Sequence, residues 1–290
     1  MENIENIIFK EPKKTFMEIL KIHNREVPFA NILAFFFRPK ENHNLKTLFI
    51  DALLETKCTN LGGNAVGEID LEIPTYNVSS VEVKIEQKTK LGKRIDILII
   101  TNTFVICIEF KINHDFNNPL SNYKEYVDDN FEGKKKYYFI LTPYKKDAIE
   151  EAKKYFENHN EFKQIILRHF INRVKEKIEE NKIDLNENVT LNYFEDFIRT
   201  VENREIRSKR NLFLENLKKE LNQKNILSEY HKNIGGGFLE IKKIENKLKI
   251  RFTINGIQIE EWNNKSFSKI ICKPQKDLDI EKIIKQIILN

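Results

Sequence analysis

Three features of the sequence predict an α/β fold: a central β-sheet flanked by helices, followed by a C-terminal helical and small antiparallel β region. Two nearly continuous apolar runs, Ile95 to Ile100 and Phe104 to Ile112, flank the turn Thr101-Asn102-Thr103 and read as a hairpin buried on both faces. Segments with helical apolar spacing lie on both sides of that hairpin. Beyond residue 237, three segments alternate polar and apolar residues, the period of half-exposed strands. With 40% of its 290 residues hydrophobic, the chain has enough apolar surface for a real core.

In chain order, residues 13–38 read as one helix. Phe16, Ile19 and Leu20 begin its apolar face, and Phe29, Ile32, Leu33 and Phe36 continue it. Pro28 marks a first turn and Pro39 the stop. Leu45 to Leu54 reads as a second helix with Leu48, Phe49 and Ala52 inward. The Gly62-Gly63-Asn64-Ala65-Val66-Gly67 segment reads as a loop, and Ile69 to Ile73 and Val81 to Glu86 alternate as strands. After the hairpin come a helix from about Leu120 to Phe131 and a strand at Tyr137 to Leu141. Mostly helical stretches follow at 147–181 and 191–222. Gly235-Gly236-Gly237 reads as a hinge or tight turn. The alternating segments 238–243, 247–254 and 256–262 then form a small antiparallel unit, closed by a helix at 277–289.

Composition excludes several chemistries. Glycine is scarce, with 9 residues, and no GxGxxG occurs; the Gly62–Gly67 segment runs into Glu68-Ile69 where a phosphate loop needs Lys and Ser or Thr. There is no HExxH and no GxSxG. Cys58, Cys107 and Cys272 form no CxxC pair, so a disulfide framework or thiolate zinc site is not expected, and a reducing cytoplasm is. No run is apolar enough for a membrane span, and Met1-Glu2-Asn3 does not open a signal peptide. His23, His43 and His114 fit no zinc spacing. Any catalysis must rest on carboxylates and lysines.

Residues 203–290 hold 19 Lys and Arg against 11 Asp and Glu, a net of +8, whereas the rest holds 30 against 33, a net of −3. Such a basic third suits either a polyanion contact or a lysine-rich solvated surface.

If the hairpin turns between Asn102 and Thr103, paired residue numbers sum to 205: Ile100 with Val105, Leu98 with Cys107, Asp96 with Glu109. Two acids then oppose each other in an otherwise hydrophobic hairpin. At about 5 Å and an effective dielectric near 20, their repulsion is roughly 3 kcal/mol. Lys111, two residues beyond Glu109, lies on the same face. Two arrangements suit these groups. One is an ion-pair cluster at the frayed end of a hairpin; the other is a hard-cation site of oxygen ligands with a water-orienting ammonium beside it.

Gly92-Lys93-Arg94-Ile95-Asp96-Ile97-Leu98-Ile99, a turn, and Ile106-Cys107-Ile108-Glu109-Phe110-Lys111-Ile112 resemble the core of the PD-(D/E)xK nuclease superfamily. The branch resembled reads G-R-I-D-I-L-I, then I-E-N-K-I, then D-x-x-x-Q-L-x-x-Y. Asp115, Leu120 and Tyr123 fall in register with the last block. Arg25-Glu26, Ile32-Leu33-Ala34, Pro39, His43 and Leu48-Phe49 are similar to its opening helices.

The resemblance implies a restriction-endonuclease-like core with a central mixed sheet flanked by helices, over residues 1–205, and a basic contact or partner region over 206–290. It implies that Asp96, Glu109 and the Phe110 carbonyl ligate Mg²⁺ or Mn²⁺, and that Lys111 orients or helps deprotonate the attacking water. It also implies that Glu26 completes the site. Glu26 also suits an ordinary helix-terminal ion pair, and Glu86 suits either an approach to the metal or an edge-strand surface acid. Tyr123 is expected either at a phosphate or buried on its helix, and His43 as a structural histidine. Two departures stand out. Pro119 replaces the Gln, with Asn117 or Asn118 as substitutes, and Phe110 replaces a more usual Asn and should pack as core. The expected partner is nucleic acid, DNA rather than RNA, contacted through Lys209, Arg210, Lys218, Lys219, Lys242, Lys243 and Lys247 to Arg251. A homodimer or partner protein is a further expectation, and a membrane is not. Trp262 suits base stacking or core packing. The activity implied is a metal-dependent endonuclease, in phage defence or a mobile element. The alternative is a catalytically inactive nuclease fold that binds nucleic acid or protein.

Overall fold

The structure is a computed structural model. It describes residues 12–60, 68–111, 119–143, 161–183, 188–226, 228–231, 238–242, 247–253, 256–263, 266–275, 280–281 and 283–284. The chain divides into two compact units: Thr15–Thr200, and Val201 onward together with the residues just before Thr15. The division falls inside one long helix, close to the boundary expected at 205.

The first unit begins with α1 (Phe16–Ile19), α2 (Glu26–Phe37) and α3 (Leu48–Glu55), followed by the short strands β1 (Cys58–Asn60) and β2 (Glu68–Ile69). Next come β3 (Glu82–Lys88), β4 (Arg94–Ile100), β5 (Phe104–Phe110), α4 (Leu120–Asn130) and β6 (Lys135–Thr142). Then follow β7 (Phe162–Ile166), α5 (Leu167–Glu180) and the start of α6 (Leu191–Gln223). The sheet runs β2-β1-β7-β6-β5-β4-β3. Strands β5, β6 and β7 are parallel and the other pairs antiparallel, a mixed sheet as expected.

Every residue of β5 is buried, because it is paired on both edges and covered on both faces. The β4–β5 register follows the 205 rule, with Leu98 opposite Cys107 and Ile100 opposite Val105. In α2, Phe29 packs on Phe110 at 5.8 Å and on Phe197 at 5.3 Å, and Phe36 stacks on Phe49 at 4.5 Å. On α4, Leu120, Tyr123 and Val127 join Ile95, Leu98, Val105 and Cys107 in a second core cluster. The β3–β4 turn needs Gly92 at φ +74°, a conformation costly to side-chain-bearing residues. Thr89 of that turn donates to the Asn122 side chain of α4 at 2.5 Å, tying the hairpin to the helix.

In the second unit, β8 (Ser228–His231), β9 (Phe238–Lys242), β10 (Lys247–Thr253), β11 (Gly256–Asn263) and β12 (Ser266–Gln275) form an antiparallel sheet in the order β12-β11-β10-β9-β8. Leu214, Leu217 and Leu221 of α6 recur at helical spacing. They bury the alternate residues Leu239, Ile241, Leu248, Ile250, Ile257 and Ile259.

The structure departs from the sequence reading in four places. The helix expected over 13–38 breaks between α1 and α2, where Lys21 adopts φ 58°. The four-residue α1 leaves Phe16, Ile19 and Leu20 at least half exposed, so these three are not core. The strand expected over 69–73 extends only to Ile69. Within 147–181 the described part opens with strand β7, not helix, because Phe162 to Ile166 adds a parallel strand beside β6. Strands β8 and β12 also went unread. The glycine segments 62–67 and 235–237 lie outside the described residues. Of the closing helix, only residues 280–281 and 283–284 are described, and these are helical. Among the described residues no helix is long and apolar enough to cross a membrane.

Candidate metal centre and active site

The carboxylate cluster forms where the β4–β5 ladder ends. The last cross-strand pair is Ile97 with Ile108. Beyond it, the Phe110 N–H turns to the Asp96 carboxylate, donating to Oδ2 at 2.7 Å. Asp96 thus takes over a backbone partner that the next ladder step would have supplied, and its side chain is fixed against the end of β5. Parity sets the rest. Glu109 and Lys111 share a face, and Phe110 points to the opposite side, where it is wholly buried against Phe29. The expectation that Phe is tolerated there as core is met.

Glu109 is 1% exposed and Lys111 5% exposed. The Lys111 ammonium lies 2.8 Å from Glu109 Oε1 and 3.8 Å from Glu26 Oε2. Glu26 is the first residue of α2, where the helix N-terminus favours an acid, and the packing of Phe29 on Phe110 holds that end of α2 over the strand. Asp96, Glu109, Lys111 and Glu26, four residues singled out in the sequence, therefore converge.

Their protonation follows from burial. Burial raises the Asp96 carboxyl well above the ordinary carboxylate range, the Phe110 hydrogen bond opposes this, and the negative charge of Glu26 adds to it. Burial likewise raises Glu109, and Asp96 raises it further. For Lys111, burial works against the charge, but Glu109, Glu26 and Asp96 outweigh it and the ammonium is held above its usual value. Fully ionised, three carboxylates and one ammonium carry a net charge of −2, which one divalent cation neutralises. Oxygen donors of this kind suit a hard cation, so the residues present fit a Mg²⁺- or Mn²⁺-type ion.

Glu86 stands beside this group. It adopts φ 50° within β3, pairs with Arg94 at 3.1 Å, and its charge contributes to raising Asp96. Glu86 is thus both near the cluster and ion-paired, while Arg94 was not singled out in the sequence; its place directly before Ile95-Asp96 was the available signal.

Other expected site residues lie elsewhere. Tyr123 is 3% exposed, with its ring inside the α4 core cluster. Pro119 caps α4 without a side-chain hydrogen bond, and Asn117 and Asn118 lie outside the described residues. In the second unit, Arg210 is 4% exposed, with its guanidinium 5.5 Å from the Phe252 ring centre. Lys209 pairs with Glu205 at 2.8 Å. The Lys242 side chain and the whole of Lys243 lie outside the described residues. His43 is structural, as expected: wholly buried, with Nδ1 accepting from the Leu45 N–H at 3.0 Å and Nε2 2.9 Å from the Arg38 carbonyl. Burial holds its pKa down. Trp262 is half-buried; its indole N–H donates to Glu260 at 3.0 Å, and the Lys249 ammonium sits 3.7 Å from its ring centre.

The family described as the PD-(D/E)XK nuclease superfamily matches residues 15–232. No curated protein and no solved structure matches the chain.

Proposed function

The chain belongs to the PD-(D/E)XK nuclease superfamily, a family of metal-dependent nucleases, and from that premise we propose that it is a DNA endonuclease working with Mg²⁺ or Mn²⁺ at Asp96, Glu109, Lys111 and Glu26. One observation carries this reading: three carboxylates and one buried ammonium gather at the open end of the β4–β5 hairpin, with a charge deficit that matches one divalent ion.

In this reading Asp96 and Glu109 hold the cation from adjacent strands, with the Phe110 carbonyl as a third oxygen. When bound, a divalent cation polarises a phosphate oxygen and makes a nearby water more acidic. Lys111 stays protonated beside Glu109, so it donates to the attacking oxygen or the phosphate and stabilises charge developing on phosphorus. Of the two tasks the resemblance implies, this reading gives Lys111 the orienting one. Glu26, 3.8 Å from the same ammonium, helps to hold it. Cleavage of invading or mobile DNA in the cytoplasm is the setting we propose, on the resemblance.

A second reading keeps the fold and drops the reaction. Pro119 at the start of α4 carries no side-chain amide where the resembled branch has Gln, as a binding-only module would tolerate. Incubating the purified protein with plasmid, linear and single-stranded DNA and with RNA, in Mg²⁺, in Mn²⁺ and in chelator, separates the two. The nuclease reading expects DNA products that vanish with chelator. Metal-independent binding with no products under any condition would favour the module.

A further inference from the structure

The polar face of the five-stranded sheet carries a second cluster of metal-ligand side chains, built without any residue of the carboxylate site. Glu229 and His231 stand two residues apart on β8 and so share a face. Glu229 lies directly across from Glu240 on β9. One ligand atom from each of Glu229, His231 and Glu240 falls within 4.8 Å of the other two.

Two carboxylates opposed on adjacent strands repel, and Glu240 is only 6% exposed, so water screens it little. Lys247 lies 3.0 Å from Glu240, and Lys249 stands directly across from Glu240 on β10. The His231 ring stacks on Phe238 at 4.7 Å with 16° between planes, which fixes its orientation. In that orientation Nε2 is buried and has no hydrogen-bond partner among the described residues. Buried polar nitrogens are normally satisfied. An imidazole with one ring nitrogen within reach of two carboxylate oxygens offers a lone pair where a cation would accept it.

We propose that Glu229, His231 and Glu240 bind a transition-metal cation of the Zn²⁺ class, with His231 ligating through Nε2. One imidazole and two carboxylates make a borderline donor set that favours Zn²⁺ over Mg²⁺. Three protein ligands leave a position open to water or a further ligand. Because the ligands come from β8 and β9, the ion ties the four-residue edge strand to the rest of the sheet. The Lys247 ammonium competes for Glu240 and swings away when the cation binds.

The test is a calorimetric Zn²⁺ titration of the full-length, chelator-treated protein in excess Mg²⁺, with Co²⁺ absorption as a second readout. The expected result is one Zn²⁺ equivalent that survives in Glu109→Ala, so that it does not depend on the nuclease reading. His231→Ala should lose it, weakening affinity beyond the roughly 10- to 100-fold typical of removing a mere supporting residue. His231→Gln, which keeps a polar side chain of similar reach, should also lose both the equivalent and the Co²⁺ band. Lys247→Met should tighten binding by removing the competing ammonium. Absence of a Zn²⁺ equivalent in the wild-type protein, or unchanged affinity in a folded His231 variant, overturns the proposal.

Discussion

At the residue scale, the decisive fact is that Glu109 is buried and Asp96 half-buried beside it with too little positive charge. Burial raises both pKa values above those of the unfolded chain. A raised folded-state value means that the folded protein holds its protons more tightly than the unfolded one. The resulting stabilisation is full below the ordinary carboxylate pKa of about 4 and is lost as pH rises through the raised folded values. A bound divalent cation must displace those protons, so its stabilising effect grows with pH. Melting curves across a pH series, with Mg²⁺ and with chelator, should therefore show a Mg²⁺-induced Tm gain that increases toward alkaline pH. For a chain this size each 1 kcal/mol corresponds to about 2–4 °C. A gain independent of pH would mean that these carboxylates do not receive the ion. Asp96, Glu109 and Lys111 were legible from sequence because strand parity and the hairpin register follow from alternation alone. Glu26 was legible only through resemblance, since nothing local links it to a strand more than eighty residues away. The burial of Tyr123 and Arg210 was not legible, because exposure is a property of packing, and a tyrosine or an arginine reads the same whether buried or free.

At the element scale, the β3–β4 and β4–β5 hairpins position the site, and turn chemistry sets both. The second was legible because two apolar runs leave a turn of only a few residues, which pins the register. The first depends on Gly92 at φ +74°, where an added Cβ would meet no atom within 4 Å. Gly92→Ala thus tests backbone conformation alone. It should destabilise the protein by about 1–2 kcal/mol, the cost of a left-handed non-glycine residue, in denaturant unfolding with an unchanged m-value. A neutral substitution would show that the turn does not hold that conformation. The elements that escaped the sequence reading did so for physical reasons. Strand β7 is five residues long and runs directly into the amphipathic α5, whose helical period dominates the window. Helix α1 shares an apolar pattern with α2, and only a backbone reversal at Lys21 separates them. Strand β8, four residues with polar side chains, lacks the apolar alternation that would mark it.

At the scale of the whole molecule, several cations of the net +8 segment 203–290 are held by neighbouring groups. Lys209 pairs with Glu205, Lys247 with Glu240 and Arg251 with Glu260, and Lys249 lies against the Phe238 and Trp262 rings. Whole-chain charge counts could not reveal this, because they ignore which acids lie across the strand. The catalytic account rests instead on the first unit, and one measurement tests it most directly: the Mg²⁺-dependent cleavage rate of a labelled duplex DNA by wild type and by Glu109→Gln, with folding matched by circular dichroism. Glu109→Gln keeps the side chain's size and removes one ligand charge. The account predicts a rate loss of at least about a hundredfold, the scale of losing one preorganised electrostatic group. A folded Glu109→Gln protein that cuts as fast as wild type would contradict it.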